Sequence, residues 1–149
     1  MIRKMNKEDL DSVMQLWLQG NLFAHSFVDP NYWYSNVELV GQQILQAEVY
    51  VYKQNQTILG FIGLVDDYIA GLFVDQQFQS QGIGKALVHY IQQHHSALTL
   101  HVFAQNERAY QFYCRQGFSV VEQNIDPQTN LLEYSMQWKT KNAFFLSCH

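Results

Sequence analysis

Cysteine and positive charge are scarce in this sequence, and each shortage disfavours a class of function. Two cysteines, Cys114 and Cys148, are too few to build a disulfide framework. Lysine and arginine number nine against thirteen aspartates and glutamates, so the formal net charge is -4. Nucleic acids and anionic membranes are bound through basic patches that displace counterions or pair with head groups. We therefore expect neither a nucleic acid nor a membrane among the partners.

Long hydrophobic runs are also missing. No apolar stretch is long enough to cross a bilayer, and no charged segment followed by an apolar run opens the sequence. The cytoplasm is therefore the expected compartment. No metal is expected either, because the histidines of the second half are not joined by cysteine or carboxylate at ligand spacing. These histidines are His89, His94, His95 and His101.

The chain does contain enough apolar material for one folded domain. Its 149 residues are near the usual size of a single domain, and 48% of them are hydrophobic. Nine acidic residues, but only Lys53 among the basic ones, lie between Glu8 and Gln81. From Lys85 onward the balance is slightly basic. This asymmetry is typical of a chain that holds an anion with one part and a cation with another, and equally of an ordinary solvated surface.

The spacing of apolar residues predicts alternating helices and strands. A helix capped by Asn6 is predicted through Trp17, with an interruption at residues 20–30, and a second helix around Val37–Leu45. The later elements, in chain order, are strands Glu48–Tyr52, Ile58–Val65 and Tyr68–Val74, helix Ile83–His94, strand Leu98–Phe103, a helix from Asn106 to Gly117, and strands Phe118–Glu122 and Leu131–Trp138. Residues 139–149 show no periodicity and are expected to form a C-terminal tail.

One part of this order determines strand direction. The strand Tyr68–Val74 and the strand Leu98–Phe103 are joined by a helix, and a helix-length crossover requires its two strands to be parallel. Hairpin-type connections elsewhere predict antiparallel neighbours. The predicted fold class is therefore α/β, with a mixed sheet that carries helices on both faces.

The segment from Gln79 to Lys85 has the features of a phosphate-binding loop. It follows an apolar strand and opens a helix, where free backbone N–H groups attract an anion. Gly82 and Gly84 permit close approach of the backbone, and Lys85 adds a cation. Glycines that serve only the turn geometry of a helix start remain an equal alternative at this point. The third glycine of a dinucleotide-binding fingerprint and the Gly-Lys-Ser/Thr of a P-loop are both absent.

Two motifs in register resemble the signatures of the GNAT superfamily of N-acetyltransferases. Gln79, Gly82 and Gly84 match Gln/Arg-x-x-Gly-x-Gly/Ala between a strand and a helix. A second pattern, Asn-x-x-Ala-x-x-Phe-Tyr-x-x-x-Gly-Phe, is matched by Asn106, Ala109, Phe112, Tyr113, Gly117 and Phe118. The resemblance covers residues 1–138 and is greatest to small single-domain bacterial members. It implies a mostly antiparallel sheet of about six or seven strands, about four flanking helices and one parallel β-α-β splay.

The resemblance implies acetyl-CoA as co-substrate and direct attack by a primary amine in a ternary complex. The backbone of Leu72 is expected to polarise the thioester, and Tyr113 to serve as general acid toward the departing thiolate. The residues expected to bind acetyl-CoA are Leu72, Phe73, Val74, Gln79, Ser80, Gln81, Gly82, Ile83, Gly84, Lys85, Asn106, Ala109 and Tyr113.

The general base is left open by the sequence. Many GNAT enzymes use a glutamate early on the fourth strand, where this chain has Tyr68, so the family's base cannot be carried over. Tyr68 itself, Asp66 or Asp67, Glu48 and His25 are candidates, and so is a water relay without a single base. The segment 20–33 is expected to form one wall of the acceptor site, or else a hydrophobic loop on the sheet, through Phe23, His25, Phe27, Asp29, Tyr32 and Trp33.

Three functions remain in competition. The first is acetyl transfer to a protein lysine, an N-terminal amine or a small cationic amine. The second is a non-catalytic acyl-CoA-binding sensor or interaction module, and the third, an acetyltransferase acting on aminoacyl-tRNA, is disfavoured by the lack of a basic face. The resemblance to GNAT-like folds, in which edge strands pair, makes a homodimer a candidate assembly.

Overall fold

A computed structural model describes residues 1–140 and contains one seven-stranded sheet with helices on both faces. The strands lie in the order β1-β2-β3-β4-β5-β7-β6, and only β4 and β5 are parallel. The strands are β1 (Ile2–Lys4), β2 (Glu48–Gln54), β3 (Thr57–Val65), β4 (Tyr68–Val74), β5 (Ala97–Phe103), β6 (Ser119–Ile125) and β7 (Leu132–Lys139). The helices are α1 (Leu10–Ala24), α2 (Pro30–Ser35), α3 (Val37–Gln46), α4 (Ile83–Gln92) and α5 (Glu107–Arg115), with 3-10 turns at Lys7–Asp9 and Gln76–Phe78. The predicted fold class is confirmed.

The central strand β3 explains why the sheet is covered on both faces. Six consecutive residues of β3, from Leu59 to Leu64, are buried, and such a run needs helices above and below it. One core cluster joins the sheet to α4 and α5, and the other joins it to the first three helices. Strand β5 alternates instead: Leu98, Leu100 and Val102 are buried, and the residues between them face the opposite side.

A bulge in β4 positions the functional site. The register with β3 pairs Gly63 with Gly71 but Leu64 with Ile69, so Ala70 is an extra residue without a partner. The parallel pairing of β4 with β5 covers only Tyr68 and Ile69 on the β4 side. Beyond the bulge the two strands separate, and a gap opens between them toward the carboxyl end of β4.

The first helix is longer than predicted, because Gly20 does not interrupt it. Helix α1 continues to Ala24. A Cβ built on Gly20 would lie 2.6 Å from Cδ1 of Phe73, so this glycine lets the helix pack closely against β4. Helix α2 was also missed. It begins at Pro30, within the expected loop, and continues beyond it to Ser35, with Asp29 accepting a hydrogen bond from the backbone N–H of Asn31.

The ends of the described chain add two corrections. Strand β1 was not predicted, since three residues show no periodicity, but it pairs with β2 at the sheet edge. Strand β7 extends to Lys139, and the Thr140 N–H donates to the Ser96 carbonyl at 2.9 Å. The rest of the expected tail, with Cys148, lies outside the described residues. Among residues 1–140, no helix is long and apolar enough to cross a membrane.

Candidate active site

The gap between β4 and β5 opens into a cavity of about 810 Å³. Helices α1 and α2 line one side, and the start of α4 together with α5 lines the other. Most of the residues predicted to act in the site line this cavity: His25, Tyr68, Leu72, Phe73, Val74, Gln79, Ser80, Gly82, Ile83, Gly84, Lys85, Asn106, Ala109 and Tyr113. Gln81 and Asp67 are not among the lining residues.

The loop before α4 has the geometry of an anion cradle. Gly82 precedes the helix with φ at +84°, a left-handed conformation that glycine adopts without strain. A Cβ built on Gly82 would meet no atom within 4 Å, so the space above it is open. The first N–H groups of α4 have no acceptor within their own helix and present a partial positive charge. A pyrophosphate therefore fits this helix start.

Two cations stand at the same loop. Lys85 lies in the first turn of α4 and is exposed. Arg108, from the first turn of α5, places Nη2 3.4 Å from Oγ of Ser80. Arg108 was not among the site residues predicted from the sequence. Its position in the first turn of a helix could be read from the sequence, because it follows the predicted cap Asn106 by two residues. Only the packing of α5 beside the loop shows which groups it contacts. The charges and the open space suit the diphosphate of acetyl-CoA.

The backbone of β4 supplies free groups in the gap. The Asp75 N–H donates to the Leu59 carbonyl at 2.8 Å, continuing the β3–β4 ladder. Hydrogen-bonded pairs alternate along such a ladder, so Leu72 and Val74 direct their N–H and C=O groups away from β3. Within residues 1–140, no strand pairs with β4 on that side beyond Ile69, although the Val74 oxygen accepts a hydrogen bond from Gln79 Nε2 at 3.3 Å. The Leu72 edge can therefore pair with an extended ligand.

Tyr113 is buried at the wall of this gap. Its side chain is 8% exposed and makes edge contacts with Phe112 and Phe118, at ring distances of 5.2 and 5.6 Å. Burial, and then the neighbouring Tyr68, raise the pKa of the Tyr113 phenol well above its usual range. Within residues 1–140 no hydrogen bond engages its hydroxyl. The phenol thus stays protonated at neutral pH and can donate to a ligand atom.

A chain of hydrogen bonds runs from α1 through His25 to α5. Asn21 donates from Nδ2 to the Trp17 carbonyl, so its Oδ1 accepts from His25 Nδ1 at 2.9 Å. His25 Nε2 then accepts from Asn106 Nδ2 at 3.1 Å. Asn106 Oδ1 in turn accepts the Ala109 N–H, which confirms the predicted cap. The chain requires neutral His25 with its proton on Nδ1, and burial lowers the pKa of this imidazole to about 4.

We expect this histidine to make the fold sensitive to acid. The pKa of His25 is lower in the folded protein than in the unfolded chain. The contribution of the neutral ring to the free energy of unfolding is therefore complete above pH 6.5 and is lost as the pH falls from 6.5 to 4. The free energy of unfolding should decrease by about 3 kcal/mol across that window. Urea denaturation at several pH values measures this. His25→Gln should flatten the dependence, and an equal slope in the variant would contradict it.

A second group of polar side chains lines the cavity and was not predicted as a unit. Tyr68 on β4, His101 on β5 and Glu133 on β7 line the cavity with Asp126, which precedes the β6–β7 turn. The Tyr68 hydroxyl is 3.3 Å from His101 Nδ1, and the same nitrogen is 3.9 Å from Glu133 Oε1. Burial raises the pKa of Tyr68, with a further contribution from Glu133. Burial also raises the pKa of Glu133, an effect that His101 opposes and Asp126 reinforces.

The other predicted base candidates lie elsewhere. Asp67 Oδ1 is 2.8 Å from His95 Nδ1, and Glu48 Oε2 is 3.6 Å from the other ring nitrogen of His95. Asp66 occupies the β3–β4 turn with φ at 55°. None of these carboxylates lines the cavity or meets Tyr113. The structure therefore does not bring them to the predicted site.

The expected acceptor wall is partly present. Phe23, His25, Tyr32 and Trp33 line the cavity, and the Tyr32 hydroxyl donates to Gln128 Oε1 at 2.6 Å, which ties α2 to the β6–β7 turn. Phe27 packs edge-on against His25 and Phe103, and Asp29 caps α2. Neither is among the lining residues. The wall is thus mainly aromatic, and the acidic groups of the site come from Asp126 and Glu133 instead.

Comparison with known proteins shows the family and the fold of this chain. The profile of the family described as Acetyltransferase (GNAT) domain matches residues 8–139. The peptidyl-lysine N-acetyltransferase YiaC of Escherichia coli (strain K12) is 34% identical over 140 residues, which cover 93% of this chain and 96% of YiaC. The solution structure of apo-form YjaB from Escherichia coli matches with a TM-score of 0.81 at 25% identity, covering 93% of this chain and 96% of that one.

A more distant structure shares the fold. An aminoglycoside 6'-N-acetyltransferase, crystallised in complex with coenzyme A, matches with a TM-score of 0.75 at 14% identity and covers 93% of this chain and 96% of that one. The profile match spans most of the chain, and the relative YiaC is matched over nearly its whole length. The chain therefore belongs to the GNAT family and is an N-acetyltransferase.

Proposed function

We propose that this enzyme transfers the acetyl group of acetyl-CoA to the side-chain amine of lysine in proteins or peptides. One observation carries the proposal: a single cavity joins an anion cradle and an unpaired strand edge to a buried phenol and an acidic acceptor side. The names of the relatives YiaC and YjaB, both peptidyl-lysine N-acetyltransferases, support lysine as the acceptor.

The residues that hold the donor follow from the cavity. The first N–H groups of α4, with Lys85 and Arg108, bind the diphosphate. The free backbone edge of β4 at Leu72 and Val74 binds the extended arm as an added strand would. Asn106, the cap residue of α5, has a second amide N–H that can donate to the arm. Bound in this way, acetyl-CoA supplies an acetyl group activated as a thioester.

Two groups of the chain act on the reacting atoms. The Leu72 N–H stabilises the oxygen on which negative charge develops during attack. Tyr113 donates its phenolic proton to the departing sulfur, whose conjugate acid has a pKa of about 8.5 if it behaves as a simple thiol. Burial keeps Tyr113 protonated before this step, so the acid is ready at neutral pH.

The acceptor side of the cavity favours a positively charged amine at the end of a methylene chain. Asp126 and Glu133 place carboxylates near the cavity, and no lysine or arginine is hydrogen-bonded to or ion-paired with either within residues 1–140. Tyr32, Trp33 and Phe23 supply apolar and aromatic surface to the methylene stem of lysine. An N-terminal amine lacks that stem, which is why we place lysine ahead of it.

A panel of acceptors tests this function. We expect an N-terminally blocked lysine peptide to be acetylated at least 10-fold faster, in kcat/KM, than the matched Lys→Arg peptide with a free N-terminus, spermidine or free amino acids. Thiol release and mass spectrometry of the product measure both rate and site. Turnover confined to a small amine would replace lysine as the acceptor. Tight binding of acetyl-CoA without any turnover would favour the sensor, and no binding would refute the cradle.

A further inference from the structure

The transfer needs a base that none of the sequence candidates supplies. A lysine ammonium has an ordinary pKa of about 10.4 and must lose a proton before its nitrogen can attack. Asp67 and Glu48 are bound to His95 outside the cavity. His25 lines the cavity, but both of its ring nitrogens are hydrogen-bonded in a chain that requires the neutral form. Asp66 does not line the cavity, and burial raises the pKa of Tyr68, so its phenol stays protonated at neutral pH. A side chain that serves as the base therefore has to come from elsewhere in the site.

We propose that His101 is the general base of the transfer and that Glu133 stabilises the imidazolium it becomes. This inference rests on the proposed lysine acetylation. His101 lines the cavity from β5, and its Nδ1 is 3.3 Å from the Tyr68 hydroxyl and 3.9 Å from Glu133 Oε1. No hydrogen bond engages its Nε2 within residues 1–140, so that nitrogen can accept a proton.

The strand register explains the arrangement. Phe103 pairs with Glu133 and His101 pairs with Ser135 across β5 and β7, so the histidine and the glutamate are diagonal neighbours. Tyr68 reaches them from β4, at the last positions where β4 and β5 are still paired. A carboxylate behind an imidazole favours the protonated ring, because the new positive charge meets a negative one.

The protons balance with His101 in this role. His101 takes one proton from the ammonium and, with 47% of its side chain exposed, releases it to solvent. The nitrogen forms the C–N bond as the C–S bond breaks, and Tyr113 protonates the sulfur. The second proton, lost by the nitrogen as the amide forms, restores Tyr113. The products are an acetylated lysine, a free thiol and one proton.

The charged and titratable groups around His101 come from several elements. Tyr68 stands on β4, Glu133 on β7, and Asp126 before the β6–β7 turn. In addition to burial, Tyr68 raises the pKa of Tyr113 on α5. In addition to burial, Asp126 and Glu133 raise the pKa of Tyr32 on α2. None of these groups is a cation. Of these groups, only the carboxylates of Glu133 and Asp126 carry charge at neutral pH, and their charge is opposite to that of an imidazolium.

The test is the pH dependence of His101→Gln. At pH 7 we expect kcat/KM for the lysine peptide to fall at least 30-fold, with the affinity for acetyl-CoA unchanged. The loss in kcat/KM should become smaller as the pH approaches the pKa of the lysine amine. It should also be smaller for a peptide bearing S-aminoethylcysteine, whose amine is less basic. Glu133→Gln should lose about 10-fold with the same pH trend. The matched control is His89→Gln, an exposed histidine on α4 that does not line the cavity.

The outcomes separate this inference from the proposed function. If the native enzyme acetylates the lysine peptide and His101→Gln keeps the native rate and pH profile, the assignment of His101 as the base is wrong, whereas the proposed function stands. A loss of equal size at every pH in both variants would also overturn it, because that is the mark of altered structure. If the native enzyme binds acetyl-CoA but does not acetylate the lysine peptide, the proposed function fails and the base assignment fails with it.

Discussion

Replacing Tyr113 with Phe is expected to lower kcat for lysine acetylation by about 10²- to 10³-fold. The substitution removes only the hydroxyl, which has no hydrogen-bond partner within residues 1–140, and keeps the ring contacts with Phe112 and Phe118. The departing thiolate then has no acid at close range. Stability and the affinity for acetyl-CoA should change little, because neither depends on that oxygen. Steady-state kinetics, thermal melting and calorimetric titration measure the three quantities.

Tyr110→Phe is the matched control for this variant. Tyr110 lies on the same helix, packs against Tyr134 at a ring distance of 5.3 Å and does not line the cavity. Its kcat should remain within about 2-fold of the native value. If Tyr113→Phe retained the native kcat, the assignment of Tyr113 as the acid would be wrong. A lower melting temperature with parallel loss of acetyl-CoA binding would point to packing instead.

Replacing Gly82 with Ala should weaken acetyl-CoA binding on the order of 30-fold. The new Cβ projects into open space in the free enzyme, where no atom lies within 4 Å, but it occupies the space through which a diphosphate approaches the backbone. Losing one charge-assisted hydrogen bond, at about 1.5–3 kcal/mol, accounts for an effect of this size. The left-handed φ of +84° adds about 1–2 kcal/mol of destabilisation. Calorimetric titration and denaturant unfolding separate the two effects.

Gly117→Ala is the control for Gly82→Ala, because it places a Cβ at a positive φ in a residue that does not contact the ligand. Gly117 has φ of +95° at the end of α5, and its Cβ would lie 3.1 Å from Trp138 Cδ1, so this variant should be at least as destabilised. Gly117 does not line the cavity. Its affinity for acetyl-CoA should therefore stay near the native value. Equal losses of affinity in both glycine variants would mean that strain alone, and not the cradle, controls binding.

Features that depend on neighbours in sequence were predictable. The helix start at Gly82 and the cap at Asn106 each lie within one short strand-to-helix or loop-to-helix segment, so the residue types alone indicate their backbone chemistry. The parallel β4–β5 pair followed from the length of its crossover. Gly20 shows the limit of this reasoning. A glycine usually weakens a helix, but here the approach of Phe73 from β4 makes it the residue that fits.

The sequence by itself determined the fold class, the glycine-containing start of α4 and the position of Tyr113 on α5, because local propensity and spacing specify all three. Only the tertiary structure decided what completes the cavity. His101, Glu133 and Asp126 meet because β7 inserts between β5 and β6, and Arg108 reaches Ser80 because α5 packs beside the loop before α4. Such encounters depend on strand order and register between segments far apart in the chain, and no local pattern of residues encodes them.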